Sequence, residues 1–183
     1  ATLTIENGGR EPLNAEVTPA WLAALETGLT AYPHRILHAD AGYFGVALFS
    51  KLPLTEGLVI PLGYDWAPAI RVVLTTKQGP IGLLGVHTPR PGMGSRNAER
   101  DFALQAIPAV LAQLPERHVV VGDCNSTPWN HAFRDLLATT GLIDAAGDRF
   151  RPTWPVQLPW LVRVPIDHVL LGGGIGIAAV STE

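Results

Sequence analysis

Several acidic, amide and imidazole side chains stand at the predicted ends of apolar strands. Asp123 and Asn125 follow the apolar strand Val119–Gly122, and residues two apart in an extended segment point the same way. We therefore expect the two side chains to share a face. There the carboxylate could orient or deprotonate a water, and the neutral amide could hold a phosphoryl oxygen. The alternative is a turn, since Asp-x-Asn after a strand is about as often a turn signal as a site.

Asp167 is a second carboxylate in an apolar setting. It lies inside the predicted strand Pro165–Leu171, where an ionised side chain is costly unless it is paired or functional. A structural ion pair with Arg163 or Arg151 is the alternative to a catalytic role.

His87 ends the predicted strand Ile81–His87 and is followed by a proline-rich loop. A functional histidine and a merely hydrogen-bonded one are equally consistent with this position. An unperturbed imidazole changes charge between about pH 5 and 8, so a functional histidine here could supply a proton or a charged hydrogen bond.

The elements that must position these residues are short strands and a few helices. Thr18-Pro19 predicts a cap and a helix through Trp21, Leu22 and Leu25, and helical periodicity returns over Asn97–Leu114 and Ala132–Thr139. The predicted strands are Ala1–Ile5, Phe44–Ser50, Ile70–Thr75, Ile81–His87, Val119–Gly122 and Pro165–Leu171. Because no regular βαβ alternation is present, we expect a two-sheet core with helices outside.

The composition indicates one folded domain over residues 1–183. Of these residues 47% are hydrophobic and 16% charged, and the net charge of −3 argues against a broad basic surface for polyanions. The single cysteine excludes an intrachain disulfide framework and a cysteine-rich zinc site. No stretch reaches the roughly 18 apolar residues of a membrane span, and no secretory signal opens the chain. We expect a monomer, with a secreted or periplasmic location favoured over a cytoplasmic one.

Five segments, in order, resemble the endonuclease/exonuclease/phosphatase superfamily, and its deoxyribonuclease-like members in particular. The family's Gly-Asp-x-Asn segment and following helix are matched by GDCNSTPWNHAFRDLLATTGLIDA, and its Ile-Asp strand is matched by RVPIDHVLL. The other segments are matched by AEVTPAWLAAL, GVALFSKLPL and GVHTPRP. The resemblance runs from Ala15 to Leu171.

The resemblance implies an α/β (α+β) fold, a four-layer sandwich of two packed mixed β-sheets with helices outside. It also implies in-line attack of water on a phosphodiester, assisted by Mg²⁺ or Mn²⁺. Glu16 then matches the main metal ligand, although it also suits a favourable charge near a helix N-terminus. Asp123 matches the carboxylate that positions the water near the metal, Asn125 its amide partner and Asp167 the aspartate that orients catalytic groups. His87 matches a catalytic histidine.

DNA is the substrate that the resemblance favours, with Arg90 and Arg96 in the loop after His87 placed to grip a phosphate backbone. Trp129 is assigned to base stacking. Trp154 and Trp160 are further candidates, but core packing is expected for at least two of these three tryptophans.

His168 follows Asp167 where many family members have an aromatic residue. We place it among the substrate-contacting residues. A strand histidine that fills this slot is the favoured alternative, and phenylalanine is then expected to be tolerated there.

Two departures from the family pattern bear on activity. Only Asn7–Asn14 separates the first strand from Glu16, so a family helix is expected to be absent, and Thr4 stands where the family has an asparagine. The family's closing Ser-Asp-His segment is not found before Ser181-Thr182-Glu183. We therefore expect a domain shortened at both ends or permuted, with weak activity that depends on His87.

Two alternatives to a DNA endonuclease stay open. One is a catalytically weak or silent binding domain of the same fold, although Asp123, Asn125 and Asp167 are all retained. The other is a phosphoesterase of the phosphatase or sphingomyelinase type.

Overall fold

Two sheets and three helices form the part of the chain that the computed structural model describes, residues 17–42 and 44–178. The helices are α1 (Pro19–Gly28), α2 (Arg96–Leu111) and α3 (His131–Thr140), and a 3₁₀ turn covers Trp160–Val162. The strands are β1 (His34–His38), β2 (Val46–Ser50), β3 (Leu54–Leu62), β4 (Tyr64–Thr76), β5 (Gly79–His87), β6 (His118–Asp123), β7 (Ile143–Asp144) and β8 (Asp167–Leu171). The predicted strand Ala1–Ile5 and Glu16 lie outside the described residues.

The larger sheet has six strands in the order β3-β4-β5-β6-β8-β7, and β1 pairs with β2 in a separate antiparallel sheet. Among the described strands, only β5 and β6 pair in parallel. A parallel pair needs a long crossover connection, and α2 supplies it.

Both faces of the six-stranded sheet are buried. Helices α2 and α3 cover one face through a core that includes Leu84, Val86, Leu104, Ile107, Phe133 and Leu170. The β1–β2 sheet covers the other face, where its Ile36 and Leu48 pack against Ile70, Val72, Leu74 and Leu83. The middle of β4, residues 67–74, is apolar and buried except at Arg71, and most of β5 is apolar as well, as expected for strands that are covered on both sides.

Helix α1 lies beside the small sheet, to which Arg35 of β1 links it through a 2.7 Å salt bridge with Glu26. Helices thus flank two packed sheets, and the predicted α/β (α+β) sandwich is confirmed.

The predicted helices are confirmed together with their end signals. Thr18 caps α1 by accepting a hydrogen bond from the Trp21 N–H, and α3 ends at Gly141 in the left-handed conformation. Strands β1, β3 and β7 were not predicted. Strand β3 contains Gly57 and Pro61, which argue against a strand interior but are tolerated because β3 is an edge strand.

No helix of the described part of the chain is long and apolar enough to cross a membrane. The single domain, the monomer and the location stay predictions.

Gly122 allows β6 to approach β5 closely, one residue before Asp123. Its φ is 139°, a conformation that residues with a side chain rarely adopt. A Cβ atom at this position would lie 2.0 Å from the Val86 carbonyl oxygen of β5. Both the backbone and the neighbouring strand therefore require glycine here.

We expect Gly122→Ala to lower the midpoint of thermal unfolding sharply or to prevent folding, because β6 must move away from β5. Gly174→Ala is the matched control, since Gly174 also has a positive φ (72°) but nothing lies within 4 Å of an added Cβ. It should show only the backbone cost, about 1–2 kcal/mol. Circular dichroism during heating measures both, and equal losses in the two variants would contradict the close contact.

Candidate active site

Three of the sequence-predicted site residues lie in one row across neighbouring strands. Strand β5 ends at His87, β6 ends at Asp123 and β8 begins at Asp167. His87 is in register with Asp123, and Asp123 is in register with Asp167. Strands in a sheet lie about 4.8 Å apart, and residues in register project to the same face. The structure therefore brings an imidazole and two carboxylates together at one end of three strands.

The two carboxylates of the row repel each other in a poorly solvated place. Burial raises the pKa of Asp123 to about 7, and the negative charge of Asp167 adds to the increase. The Asn125 N–H, Arg90 and His168 act in the opposite direction but do not outweigh burial. This pair of carboxylates is therefore stabilised by a proton or a cation.

Asn125 fixes the position of Asp123 through a turn. Its φ of 43° is left-handed, which asparagine tolerates better than most residues. Its N–H donates to Asp123 Oδ1 at 2.7 Å, and its Nδ2 donates to the Thr88 carbonyl at 2.8 Å. The expectation of an extended segment with both side chains side by side is wrong, because the backbone turns here. Nδ2 carries a second hydrogen, which a phosphoryl oxygen could accept.

Thr88 joins the two loops that carry His87 and Asn125, and the sequence analysis missed it. Its N–H donates to the Asp123 carbonyl at 3.0 Å, and its hydroxyl donates to the Cys124 carbonyl at 2.6 Å. A threonine before a proline is common in loops, so no sequence signal marks this role.

His87 is buried, and its imidazole is neutral over most of the pH range. Burial lowers its pKa to about 4, and the positive charge of Arg90 contributes to the decrease. The expected change of charge between about pH 5 and 8 is therefore wrong for this environment. Its Nδ1 is buried and has no hydrogen-bond partner among the residues that the structure describes. A neutral ring with a free nitrogen can still give or accept a hydrogen bond to a substrate.

The predicted arginines differ in their relation to the row. Arg90 is exposed, and its charge lowers the pKa of both His87 and Asp123, so it lies close to them. Arg96 begins α2, and its side chain lies over Gly92 of its own loop. Of the two, only Arg90 has a described interaction with the row.

The three predicted tryptophans are on the surface. Trp129, Trp154 and Trp160 are 62%, 46% and 58% exposed, so the expectation that at least two of them pack in the core is wrong. They lie in the segments between β6 and α3 and between β7 and β8. Trp129 stays a predicted substrate contact.

His168 does not contact substrate, contrary to its assignment, because protein atoms occupy both ring nitrogens. Nδ1 lies 2.8 Å from Asp144 Oδ2, and Nε2 lies 2.8 Å from the Ser126 carbonyl oxygen. Both partner atoms are oxygens that accept hydrogen bonds, so protein atoms lie at hydrogen-bond distance from both ring nitrogens. The ring also packs at 4.3 Å, between centroids, on Phe133. His168 thus connects β8 to the loop after Asn125, and a phenylalanine at this position would lose both contacts.

Asp144 is the partner that the sequence analysis missed. It is in β7, where Oδ1 accepts from the Ala146 N–H at 2.9 Å while Oδ2 binds His168. Its signal was an acidic residue in the apolar stretch Gly141–Ala145.

Thr153 holds the start of β8. Its hydroxyl oxygen accepts from the Ile166 N–H at 3.1 Å and from the Asp167 N–H at 3.2 Å. Arg163, proposed as an ion-pair partner of Asp167, donates instead to the Leu158 and Val156 carbonyls, at 2.6 Å each. The backbone around Asp167 is therefore fixed by the loop that precedes β8.

A divalent metal fits the donors of the row. The described residues include no cluster of three or more His, Cys, Asp or Glu side chains that could hold a metal ion. Mg²⁺, however, is usually bound through one or two carboxylates plus waters, and Asp123 and Asp167 provide two. Glu16, the predicted chief ligand, lies outside the described residues. A cation between Asp123 and Asp167 would also relieve their repulsion.

The model of the Endonuclease/Exonuclease/phosphatase family matches residues 15–183. The chain belongs to this family. Members are generally hydrolases that depend on a divalent metal. None of the curated protein sequences matches the chain.

Solved structures of the same family share the fold at low sequence identity. TDP2 from D. rerio, solved with a single-strand DNA product, is 18% identical with a TM-score of 0.69 over 86% of this chain and 68% of that chain. An AP endonuclease from Archaeoglobus fulgidus is 14% identical, with a TM-score of 0.66 over 87% of this chain and 74% of that one. Sphingomyelinase C from Streptomyces griseocarneus is 18% identical, with a TM-score of 0.60 over 86% of this chain and 68% of that chain. The family fold therefore carries both DNA-processing and lipid-processing enzymes.

We expect His168→Phe to unfold at a lower urea concentration than the wild type. The change leaves Asp144 and the Ser126 carbonyl without their partner, and a buried acceptor that loses its hydrogen bond typically costs about 1–3 kcal/mol. His131→Phe is the matched control: His131 pairs with Asp135 at 2.7 Å, but both side chains are mostly exposed. Such surface pairs contribute about 1 kcal/mol or less. Similar losses of unfolding free energy in the two variants would contradict the role of His168.

The pKa of His87 predicts a loss of stability in acid. Unfolded histidine has a pKa of 6.5 and folded His87 one of about 4, so the unfolded state binds more protons between these values. The contribution of neutral His87 to the free energy of unfolding is therefore complete above pH 6.5, and it is lost as the pH falls toward 4. His87→Gln should therefore lose less unfolding free energy than the wild type between about pH 7 and 4.5, by up to about 3 kcal/mol.

Urea unfolding in EDTA at several pH values measures this difference, and the opposing contribution of Asp123 is common to both proteins. His131→Gln, which changes an exposed histidine, should follow the wild type. Parallel curves for the wild type and His87→Gln would show that His87 titrates normally.

Proposed function

We propose that the protein is a metal-dependent endonuclease that hydrolyses phosphodiester bonds in DNA. The observation that carries the proposal is the row of His87, Asp123 and Asp167, which the strand register places side by side. Family membership supports the phosphoesterase chemistry, and TDP2 solved with a single-strand DNA product supports the choice of DNA.

Asp123 and Asp167, with the predicted ligand Glu16, are the residues that would hold Mg²⁺ or Mn²⁺. When bound, the metal supplies charge neutralisation at the phosphoryl oxygens. Asp123 is held by the Asn125 N–H and orients the attacking water.

His87 and Asn125 are the proposed neutral donors to the phosphate. The imidazole of His87 is uncharged near neutral pH because of burial and Arg90. It therefore gives a hydrogen bond to an oxygen of the phosphate rather than an ionic contact. The second Nδ2 hydrogen of Asn125 is available for another oxygen. Arg90 supplies the positive charge at the rim, and Arg96 and Trp129 extend the contact with the strand.

A silent binding domain does not account for the cost of this arrangement. Two carboxylates in register, one of them with its pKa raised by burial and by its neighbour, destabilise the fold unless a ligand uses them. A domain that only kept the fold would gain stability by losing one of them.

Asp123→Asn should reduce the rate of nicking of supercoiled DNA by about 10²–10⁴-fold, as is typical when a general base is removed. Asparagine has nearly the same shape as aspartate, so the affinity for DNA should change much less than the turnover rate. Mg²⁺ or Mn²⁺ should support the wild-type reaction, and EDTA should stop it.

Asp135→Asn is the matched control, since Asp135 is exposed on α3 and pairs only with His131 among its described contacts. It should nick at the wild-type rate. Wild-type turnover in Asp123→Asn, or undiminished nicking in EDTA, would refute the mechanism.

A further inference from the structure

The loop before β8 exposes a continuous set of apolar side chains next to the site. They are between 45% and 71% exposed and comprise Phe150, Val156, Leu158, Trp160, Leu161 and Val162. We call this set the apolar ridge. Exposed apolar patches of this kind mark protein or membrane contacts rather than ordinary surface.

The ridge continues to the loop that follows Asp123. The ring centroids of Phe150 lie 6.3 Å from those of Trp129 and 6.3 Å from those of Trp160. At the other end, Thr153 binds the backbone N–H of Asp167. The ridge therefore lies beside the row of His87, Asp123 and Asp167, not at a remote part of the surface.

Hydrogen bonds hold the loop in this shape. Arg163 binds the carbonyls of Leu158 and Val156, two residues that carry ridge side chains. Trp154 pairs with Val164 in an isolated β-bridge. The loop is thus a formed structure that presents Trp160 and Leu161 to solvent.

The charges around the ridge complement an anionic surface. The segment 149–163 contains Arg149, Arg151 and Arg163 and no Asp or Glu, although the whole chain has a net charge of −3. Tryptophan and leucine flanked by arginine are typical of surfaces that insert into the headgroup region of a membrane. Basic residues near such a surface are attracted by anionic lipids.

The same observations favour lipid over nucleic acid. Bases stack on flat rings beside cations that contact the backbone. The two most exposed ridge side chains, Leu161 and Val162, have no ring on which a base could stack. Branched aliphatic side chains at this exposure are suited to acyl chains.

We propose that the apolar ridge docks the domain onto an anionic lipid bilayer. Docking would bring the neighbouring row of His87, Asp123 and Asp167 close to the membrane surface. The inference goes beyond the proposed function and does not rest on DNA as the substrate.

Sedimentation with vesicles tests the proposal directly. Wild-type protein should bind vesicles of phosphatidylcholine with phosphatidylglycerol, and bind vesicles of phosphatidylcholine alone more weakly. The double variant Trp160→Ser/Leu161→Ser should bind the mixed vesicles more than about tenfold more weakly, since two large apolar side chains no longer leave water. The matched control is Leu58→Ser/Ile143→Ser, which changes two side chains that are 50% and 62% exposed outside the ridge. It should bind as the wild type does.

Two further measurements separate docking from folding and from catalysis. Both double variants should unfold at the wild-type temperature, and both should hydrolyse a small soluble phosphodiester, bis-p-nitrophenyl phosphate, at the wild-type rate. If the wild type and both double variants failed to hydrolyse the phosphodiester while the wild type still bound the mixed vesicles, the result would count against the proposed function and would still support docking through the ridge.

Three results would overturn the proposal. One is equal vesicle binding by the wild type and the ridge variant, or no binding by either. Another is a dimer in light scattering that only the ridge variant loses, which would make the ridge an interface between copies. The third is loss of binding to single-stranded DNA, with vesicle binding unchanged, which would make the ridge a base-stacking surface.

Discussion

The close contact between β5 and β6 at Gly122 determines where the site residues lie. Because a side chain at Gly122 would meet the Val86 carbonyl, glycine alone lets the two strands pair in parallel up to their ends. That pairing sets His87 against Asp123, and antiparallel β8 then adds Asp167. Helices α2 and α3 cover one side of these strands, and the small sheet covers β4 and β5 on the other. The elements packed on both sides of the sheet therefore keep β5, β6 and β8 in the register that aligns His87, Asp123 and Asp167.

The strand register also places like charges side by side and so shifts the pKa values of the site residues. Two carboxylates and an imidazole are brought together where water is scarce, so the pKa of Asp123 rises and that of His87 falls. Backbone and side-chain donors hold this arrangement in place: the Asn125 N–H binds Asp123, and Thr153 binds the N–H of Asp167. The pair of His168 and Asp144 supports the site indirectly, because His168 binds the carbonyl of Ser126 in the loop that carries Asn125. Burial makes the row costly for the fold and suited to a cation and a phosphate.

The sequence predicted the strand ends and the residue types but not the contacts between them. The sequence revealed three site residues, Asp123, Asp167 and His87, because a polar residue at the end of an apolar run is conspicuous. Their register was not predictable, because it depends on the pairing of strands that are distant in sequence. Asn125 was misjudged because the left-handed backbone at this residue depends on its contacts with Asp123 and Thr88. His168 was misassigned because its partner Asp144 is 24 residues earlier in the chain. Core packing was expected for at least two of Trp129, Trp154 and Trp160 because of their size, but all three are between 46% and 62% exposed.

The central claim is that a divalent cation binds at Asp123 and Asp167, beside His87. Paramagnetic Mn²⁺ broadens the NMR signals of nearby nuclei, and the six histidines of the chain provide imidazole signals for comparison. On titration with Mn²⁺, the His87 signals should broaden first while those of exposed His131 stay sharp, and Asp123→Asn/Asp167→Asn should abolish the effect. Broadening that spares His87, or that persists unchanged in the double variant, would contradict the account.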